Sequence, residues 1–325
     1  MSMSEHSLAI DAQRRAFIRC LGTVPVSCPL EVEVEEQVIE DTYIRERISY
    51  QASPDVRIPA YVLIPRHLRQ KAAAVVCIHQ HNGEFHIGKS EPVGLAGNPE
   101  MFYARELCQR GYIVIVPDLE GFEERQVSSE NLERWKRTAP RLLTEGTYER
   151  FLAMDHLLHG SSLQVRYVWD LARAVDYLCT RSDVDTERIG ALGHSLGGQE
   201  VCWLLLFDER VKAGVCSCGV STFEAIMRNG INHNFAAYVP GMLQVGDMDQ
   251  LLAALAPVPL LVTAGEQDWI FPIDGVRQIA QVASYSYEQH EALAAFHFHE
   301  FAGGHGFPSE VRLLAYNWLD RWLRM

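Results

Sequence analysis

A serine set among glycines carries the most direct chemical meaning in this chain of 325 residues. Gly193-His194-Ser195-Leu196-Gly197 follows the apolar segment 189–192 and leads into a helix-like segment, 199–207. A serine on a sharp strand-to-helix turn needs small neighbours, which the flanking glycines supply. Such a turn exposes the Ser195 hydroxyl and leaves the backbone N–H of Leu196 at a helix N-terminus. The motif predicts a serine nucleophile, with Leu196 as one donor to an oxyanion.

A serine hydroxyl needs a general base, and a motif of this kind is followed along the chain by an acid and then a histidine. The apolar stretch Pro259 to Ala264 ends shortly before Asp268, and the alternating stretch Ala295 to Phe301 ends shortly before His305. Both residues thus follow the carboxyl end of a predicted strand, and the spacings leave room for connecting helices. The sequence predicts Asp268 as the acid and His305 as the base.

Each partner has rivals. His297 and His299 lie inside the last predicted strand, where packed or solvated side chains are expected. Asp247 and Asp249 lie in a segment that has the character of an insertion. We therefore rank Asp268 and His305 ahead of them.

Together these residues resemble the α/β-hydrolase superfamily, and within it the dienelactone-hydrolase-like and acyl-peptidase-like esterases. The resemblance covers about residues 45–325 and includes Pro117-Asp118-Leu119-Glu120-Gly121-Phe122 with Arg125, similar to the family's D-x-x-G-x-G-x-R stretch. It implies a mostly parallel eight-stranded sheet with antiparallel N-terminal strands, helices on both faces and cap insertions. Dienelactone hydrolases proper have a cysteine nucleophile, so Ser195 argues against that particular activity.

The resemblance also places a second oxyanion donor after the third strand. Where the family has His-Gly, this chain has His79-Gln80-His81-Asn82-Gly83, so family position assigns the backbone N–H of His81, with Gln80 as the alternative. A metal site built from His79, His81, His86 and Glu84 is a competing interpretation, but it lacks the helical spacing of H-E-x-x-H. With a complete triad, no metal or other cofactor is expected.

Substrate contacts are predicted from the loops that follow the strands and from two insertions, at about 126–161 and 221–255. The candidates are Gln80, Arg125, Tyr238 and Trp269. Arg125 belongs to a charged group with Glu84, Lys89 and Glu120, and its guanidinium could bind a carboxylate on the substrate. The opposing interpretation is an internal ion-pair network that only orders the loops.

Composition limits the partners. The formal charge of −13 disfavours nucleic acid, and no apolar run reaches the length of a membrane span. Charged residues in Met1 to Arg19 break the apolar core that a signal peptide needs, so a cytoplasmic location is expected. The eight cysteines show no C-x-x-C spacing and are expected to be mostly buried free thiols.

Periodicity indicates the architecture. Residues 1–30 are predicted to form a helical arm, which packs on the body of the protein or on the second subunit of a homodimer. The remainder, 31–325, is predicted to be one catalytic domain. Period-two alternation predicts antiparallel strands in 31–40, 43–50 and 57–64, and uniformly apolar segments predict six further strands from residue 73 onward.

Three classes of function remain open at this point. The leading one is a carboxylic ester hydrolase that acts on a small-molecule ester through an acyl-enzyme. A peptidase or amide hydrolase of the acyl-peptidase type is the second, and a binding module on a hydrolase scaffold is the third. All three triad positions carry residues suited to catalysis, which favours an enzyme.

Overall fold

The computed structural model of this chain describes residues 3–138 and 146–324. Its framework is a nine-stranded sheet with strand order β1-β2-β3-β5-β4-β6-β7-β8-β9. The strands are β1 Glu33–Ile39, β2 Tyr43–Ser53, β3 Val56–Pro65, β4 Ala72–Ile78, β5 Ile113–Pro117, β6 Val184–His194, β7 Val211–Ser217, β8 Leu260–Gly265 and β9 Phe296–Phe301.

The first three strands are antiparallel, as the alternation of their residues predicts. β1 pairs with β2, β2 with β3, and β3 with β5, each in antiparallel register. From β4 onward every pairing between neighbouring strands is parallel. The resemblance implied eight strands; the ninth is the exposed edge strand β1, which the period-two pattern had marked.

Eleven α-helices lie in the described part of the chain. They are α1 Met3–Cys20, α2 Tyr103–Gln109, α3 Ser129–Thr138, α4 Thr147–Leu158, α5 Leu163–Thr180, α6 Leu196–Phe207, α7 Phe223–Arg228, α8 Met242–Val245, α9 Met248–Ala253, α10 Ile273–Gln289 and α11 Ser309–Leu323. A separate 3-10 turn over Pro99–Met101 precedes α2, and Phe102, with φ −78° and ψ 30°, lies between the two.

Helices cover both faces of the parallel strands, which explains why those strands are apolar throughout. Alternate residues of β4 enter two separate cores, Ala74, Val76 and Ile78 with α5 and α6, and Ala73, Val75 and Cys77 with α2 and α11. A strand buried on both faces has no position at which a polar side chain reaches water. The carboxyl ends of these strands therefore converge on one edge, where loops can bring polar groups together.

The N-terminal helix α1 packs on the body of its own chain, one of the two outcomes expected for it. Phe17 is fully buried and its ring meets that of Trp203 edge-on, with centroids 6.4 Å apart. Arg14 donates to the carbonyl oxygens of Leu205 and Leu206 near the C-terminus of α6. A cation at that end satisfies carbonyl groups that have no partner within the helix.

Both predicted insertions contain helices. The first carries α3 and α4, although its residues 139–145 lie outside the described part of the chain. The second carries α7, a 3-10 turn at Phe235–Ala237, α8 and α9. Among the described helices, none combines the length and apolar character that crossing a bilayer requires.

Helix α6 carries a buried carboxyl group, Glu200, directly after Gln199 and before an apolar stretch. The side-chain amides of Gln164 and Gln199 donate to its two oxygens, at 2.5 and 3.2 Å. Burial raises the pKa of Glu200 from 4.5 to about 8. The folded protein therefore keeps this carboxyl protonated at a pH where the unfolded chain has lost the proton.

We expect Glu200→Gln to stabilise the protein increasingly as the pH rises. Because the folded pKa lies above the unfolded one, the contribution of Glu200 to stability is complete below about pH 4.5 and is lost as the pH rises through 8. Within that window the free energy of unfolding of the wild type falls by about 1.4 kcal/mol per pH unit. Urea unfolding at pH 5, 7 and 9 measures it, with exposed Glu209→Gln as the control. A constant difference between Glu200→Gln and wild type would contradict the assignment.

Candidate active site

Ser195 occupies a strained turn between β6 and α6. Its backbone has φ 56° and ψ −121°, a positive φ that non-glycine residues adopt rarely and at a cost of about 1–3 kcal/mol. The Ser195 N–H donates to the carbonyl oxygen of Ser217 at 2.8 Å, which ties the turn to the end of β7. This is the geometry that the sequence motif predicted.

The glycines around Ser195 are required by close backbone contacts. A Cβ at Gly193 would lie 2.3 Å from the carbonyl group of Gly197, and one at Gly198 would lie 2.8 Å from the carbonyl oxygen of Ser217. A Cβ at Gly197 would come within 2.1 Å of the carbonyl oxygen of Ile78. The first turn of α6 is therefore pressed against the end of β4.

Asp268 and His305 lie together at the ends of β8 and β9. Asp268 Oδ2 and His305 Nδ1 are 2.7 Å apart, and the Asp268 side chain is fully buried. Its other oxygen accepts from the backbone N–H groups of Ile270 and Phe271. With Nδ1–H donated to the carboxylate, the lone pair of His305 belongs to Nε2.

Aromatic contacts place the His305 ring beside the serine turn. It lies 4.8 Å from the ring of His194, the residue directly before Ser195, and stacks on Phe271 at 5.7 Å. His194 is buried, and its Nδ1 is 3.0 Å from the Ser217 hydroxyl oxygen. Burial and the nearby His305 hold the pKa of His194 well below 6.5. The structure thus brings the three predicted triad residues to one edge of the sheet.

The rival residues have other partners. Asp247 caps α9 and accepts from the N–H groups of Phe223 and Glu224, and Asp249 accepts from the side chain of Gln278. His297 and His299 stack on each other within β9. None of these contacts reaches the serine turn.

The loop after β4 is anchored by His79. Its Nδ1 donates to the carbonyl oxygen of Gln80, and its Nε2 accepts from the N–H of Leu119. Burial lowers the pKa of His79 to about 4, so the ring is neutral. Since both nitrogens already have protein partners, His79 has no ring nitrogen left with which to bind a metal.

The two predicted second oxyanion donors differ in what their side chains do. The Gln80 amide donates to the buried carboxylate of Glu91 at 2.9 Å. The His81 ring contacts Glu149, and both of its ring nitrogens have protein partners. Like His79, His81 therefore has no ring nitrogen left to bind a metal. The assignment of the backbone N–H of His81 to the oxyanion stays a prediction.

The predicted charged group separates into internal ion pairs. Arg125 donates to Asp170 at 2.6 Å and to the carbonyl oxygen of Asp118, and its side chain is 7% exposed. Buried Lys89 contacts the carboxylates of Asp118 and two glutamates of the turn after it. These contacts favour the internal network over substrate binding as the role of Arg125.

The remaining substrate candidates lie in different settings. Trp269 follows Asp268 directly and is 74% exposed, so its ring is available to a ligand. The Tyr238 hydroxyl accepts from the N–H of His233 and donates to the Asn232 side chain, which orders the second insertion. Their contact with substrate stays a prediction.

Cys218 lies beside the candidate triad, a position for which the sequence analysis assigned it no role in catalysis. Its sulfur, an Asp268 oxygen and a His305 nitrogen all lie within 4.8 Å of one another. Burial raises the pKa of Cys218 to about 12. The thiol is therefore protonated at neutral pH and is a poor nucleophile. Its position directly after the predicted strand that is β7 in the structure was the signal in the sequence.

We expect Gly197→Ala to destabilise the protein by about 3 kcal/mol or more, because its Cβ would overlap the carbonyl oxygen of Ile78. Gly230→Ala is the matched control, since Gly230 has φ 66° and a Cβ added there would meet no described atom within 4 Å. The control should cost only about 1–2 kcal/mol, for its left-handed backbone. Chemical denaturation compares the two, and equal losses would contradict the contact.

We expect Arg125→Lys to lower the free energy of unfolding by about 1–3 kcal/mol, because an ammonium group cannot hold both Asp170 and the Asp118 carbonyl. The exposed Arg134→Lys should change it by less than about 0.5 kcal/mol. Thermal unfolding tests both variants. A melting temperature unchanged by Arg125→Lys would contradict the internal ion-pair role and favour substrate binding.

Comparisons with known proteins agree with this fold. A Bacillus subtilis (strain 168) protein named "Putative hydrolase YtaP" is 28% identical over 314 residues, covering 96% of this chain and 99% of its own. A solved "putative acetyl xylan esterase" from Bacteroides fragilis NCTC 9343 superposes with TM-score 0.73 at 16% identity, covering 98% and 83%. A glucuronoyl esterase from Solibacter usitatus superposes with TM-score 0.68 at 16% identity, covering 94% and 91%.

The match to a family shows where this chain belongs. Residues 74–260, more than half of the chain, match the model of the alpha/beta hydrolase fold family. The solved structures, at identities well below 25%, share the fold. This protein is a member of the alpha/beta hydrolase fold family.

Proposed function

We propose that this protein is a serine esterase that hydrolyses small carboxylic esters through an acyl-enzyme. The observation that carries the proposal is the buried Asp268 bonded to His305 at 2.7 Å, with the His305 ring beside the residue that precedes Ser195. A strained serine next to a histidine oriented by a carboxylate is the arrangement that serine nucleophiles require. The names of the esterases that share the fold support it.

The triad supplies nucleophile, base and orienting acid. His305 Nε2 removes the Ser195 proton as the hydroxyl oxygen attacks the ester carbonyl, and then protonates the leaving alcohol. Asp268 holds the Nδ1–H tautomer and stabilises the imidazolium that forms. Water then attacks the acyl-enzyme by the same path and releases the acid. Cys218 does not compete as nucleophile, because its thiol stays protonated.

Charge that develops on the carbonyl oxygen needs two donors. The N–H of Leu196 lies at the start of α6, where helix N–H groups have no partner within the helix. The N–H of His81 is the second donor in this proposal. The close packing of Gly197 on Ile78 supports it, because it brings the start of α6 next to the loop after β4. One such donor contributes on the order of 3 kcal/mol to lowering the barrier.

Two features favour a small ester. A small cavity between α6 and the second insertion, lined in part by Phe223, His233 and Phe271, holds about 10 Å³, room for one group the size of a water molecule. A wider groove of about 620 Å³, lined in part by Phe85, Trp135 and Tyr148, adjoins the first insertion. We infer a short acyl group and a larger alcohol, as in an acylated sugar.

Other expectations from the sequence stay predictions. These are a cytoplasmic location, the dienelactone-hydrolase-like subtype, the absence of a nucleic-acid partner and the homodimer. Helix α1 packs on its own chain, which was one of the two arrangements expected for it, so it gives the homodimer no support.

We expect a fluorophosphonate probe to label Ser195 alone, with labelling and ester turnover both lost in Ser195→Ala. Cys218→Ala is the matched control and should keep the label. Peptide mapping locates the probe. Turnover is measured with p-nitrophenyl esters of rising acyl chain length and compared with turnover of peptide anilides. Label that persists in Ser195→Ala would overturn the nucleophile, and faster anilide than ester cleavage would make the protein an amidase.

A further inference from the structure

A second pairing of histidine with a buried carboxylate lies next to the candidate active site. Glu149, on α4 of the first insertion, places Oε2 3.1 Å from Nε2 of His81. The Glu149 side chain is only 4% exposed. This pair is separate from Asp268 and His305, and the mechanism above makes no use of its acid.

The hydrogen bonds of the His81 ring determine which of its two nitrogens carries the proton. The N–H of Gly83 donates to Nδ1 of His81 at 3.0 Å, so Nδ1 is the unprotonated nitrogen. Nε2 then carries the proton and donates it to Glu149. The His81 ring is also held at its sides by Phe85 and Phe122, with centroids 4.8 and 5.3 Å away.

The other oxygen of Glu149 binds the second insertion. Oε1 accepts from the backbone N–H of Phe235 at 2.9 Å. One carboxylate thus joins three segments that are distant in sequence: the loop after β4, helix α4 and the 3-10 turn at Phe235–Ala237. A buried carboxylate costs free energy unless hydrogen bonds compensate for lost water, and the His81 ring and the Phe235 N–H supply those bonds here.

We propose that Glu149 is a positioning residue for the oxyanion site. By fixing the ring of His81, it fixes the backbone N–H of the same residue, the second oxyanion donor in the proposed function on which this inference rests. Because the Phe235 N–H binds the same carboxylate, Glu149 also fixes the position of the second insertion relative to the backbone N–H of His81. A displacement of about 1 Å at a reacting group can cost about 100-fold in rate.

Glu149→Gln tests the role with little change in shape. A glutamine offers one oxygen and one NH2 group, so either His81 Nε2–H or the Phe235 N–H must face another donor. We expect kcat per active site, titrated with fluorophosphonate, to fall about 10- to 100-fold, with KM changed less than about twofold. Phosphonylation of Ser195 should slow by a similar factor, since it also develops charge on oxygen.

Two comparisons separate positioning from general destabilisation. Asp155→Asn removes an exposed carboxylate from the same helix and should leave kcat and KM unchanged. If Glu149 acts through His81, the double variant Glu149→Gln/His81→Ala should lose no more kcat than His81→Ala alone. If the role of Glu149 is purely structural, Glu149→Gln should lower the melting temperature and the fraction of molecules that react with fluorophosphonate. The kcat of each reactive molecule would then stay at the wild-type value.

The outcomes distinguish this inference from the function on which it rests. If wild type hydrolyses esters and Glu149→Gln matches it in kcat and phosphonylation rate, the positioning role is wrong and the esterase stands. Additive losses in the double variant would also overturn the positioning role. If wild type neither hydrolyses esters nor reacts with the probe, the proposed function fails, and the inference fails with it.

Discussion

The strained backbone at Ser195 is the constraint on which the rest of the site depends. A positive φ at a non-glycine residue persists only when its surroundings hold it there. Here the Ser217 carbonyl binds the Ser195 N–H, and α6 begins so close to β4 that Gly197 has no room for a side chain. The same contact between α6 and β4 therefore brings the loop of His79 to His81 beside the serine turn.

Buried polar groups then order the loops that surround this turn. His79 links the loop after β4 to the N–H of Leu119, and Arg125 joins Asp118 to Asp170 on α5. Buried ion pairs of this kind contribute little net stability, but the removal of one partner is costly. Their effect at this edge of the sheet is to restrict the loops to one arrangement. A preorganised arrangement of donors is what stabilisation of a developing oxyanion requires.

The histidines around the serine turn differ in their hydrogen bonds and burial. His79 and His194 are held neutral by burial, and His81 is committed to Gly83 and Glu149. His305 differs because a buried carboxylate binds its Nδ1, and in the proposed mechanism its Nε2 is the atom that accepts the serine proton. The chain has 13 histidines, and burial and hydrogen bonding, not residue type, distinguish the proposed base from its neighbours.

Sequence alone determined the strands, the main helices and the order Ser195, Asp268, His305, because burial on both faces leaves uniformly apolar segments and parallel strands bring their carboxyl ends together. Tertiary structure decided what those patterns do not encode. The binding of Glu149 to His81, 68 positions away, and the turning of Arg125 inward follow from packing between insertions and loops. Periodicity reports which face of an element is buried, but a single polar residue in an irregular segment has no period to reveal its partner.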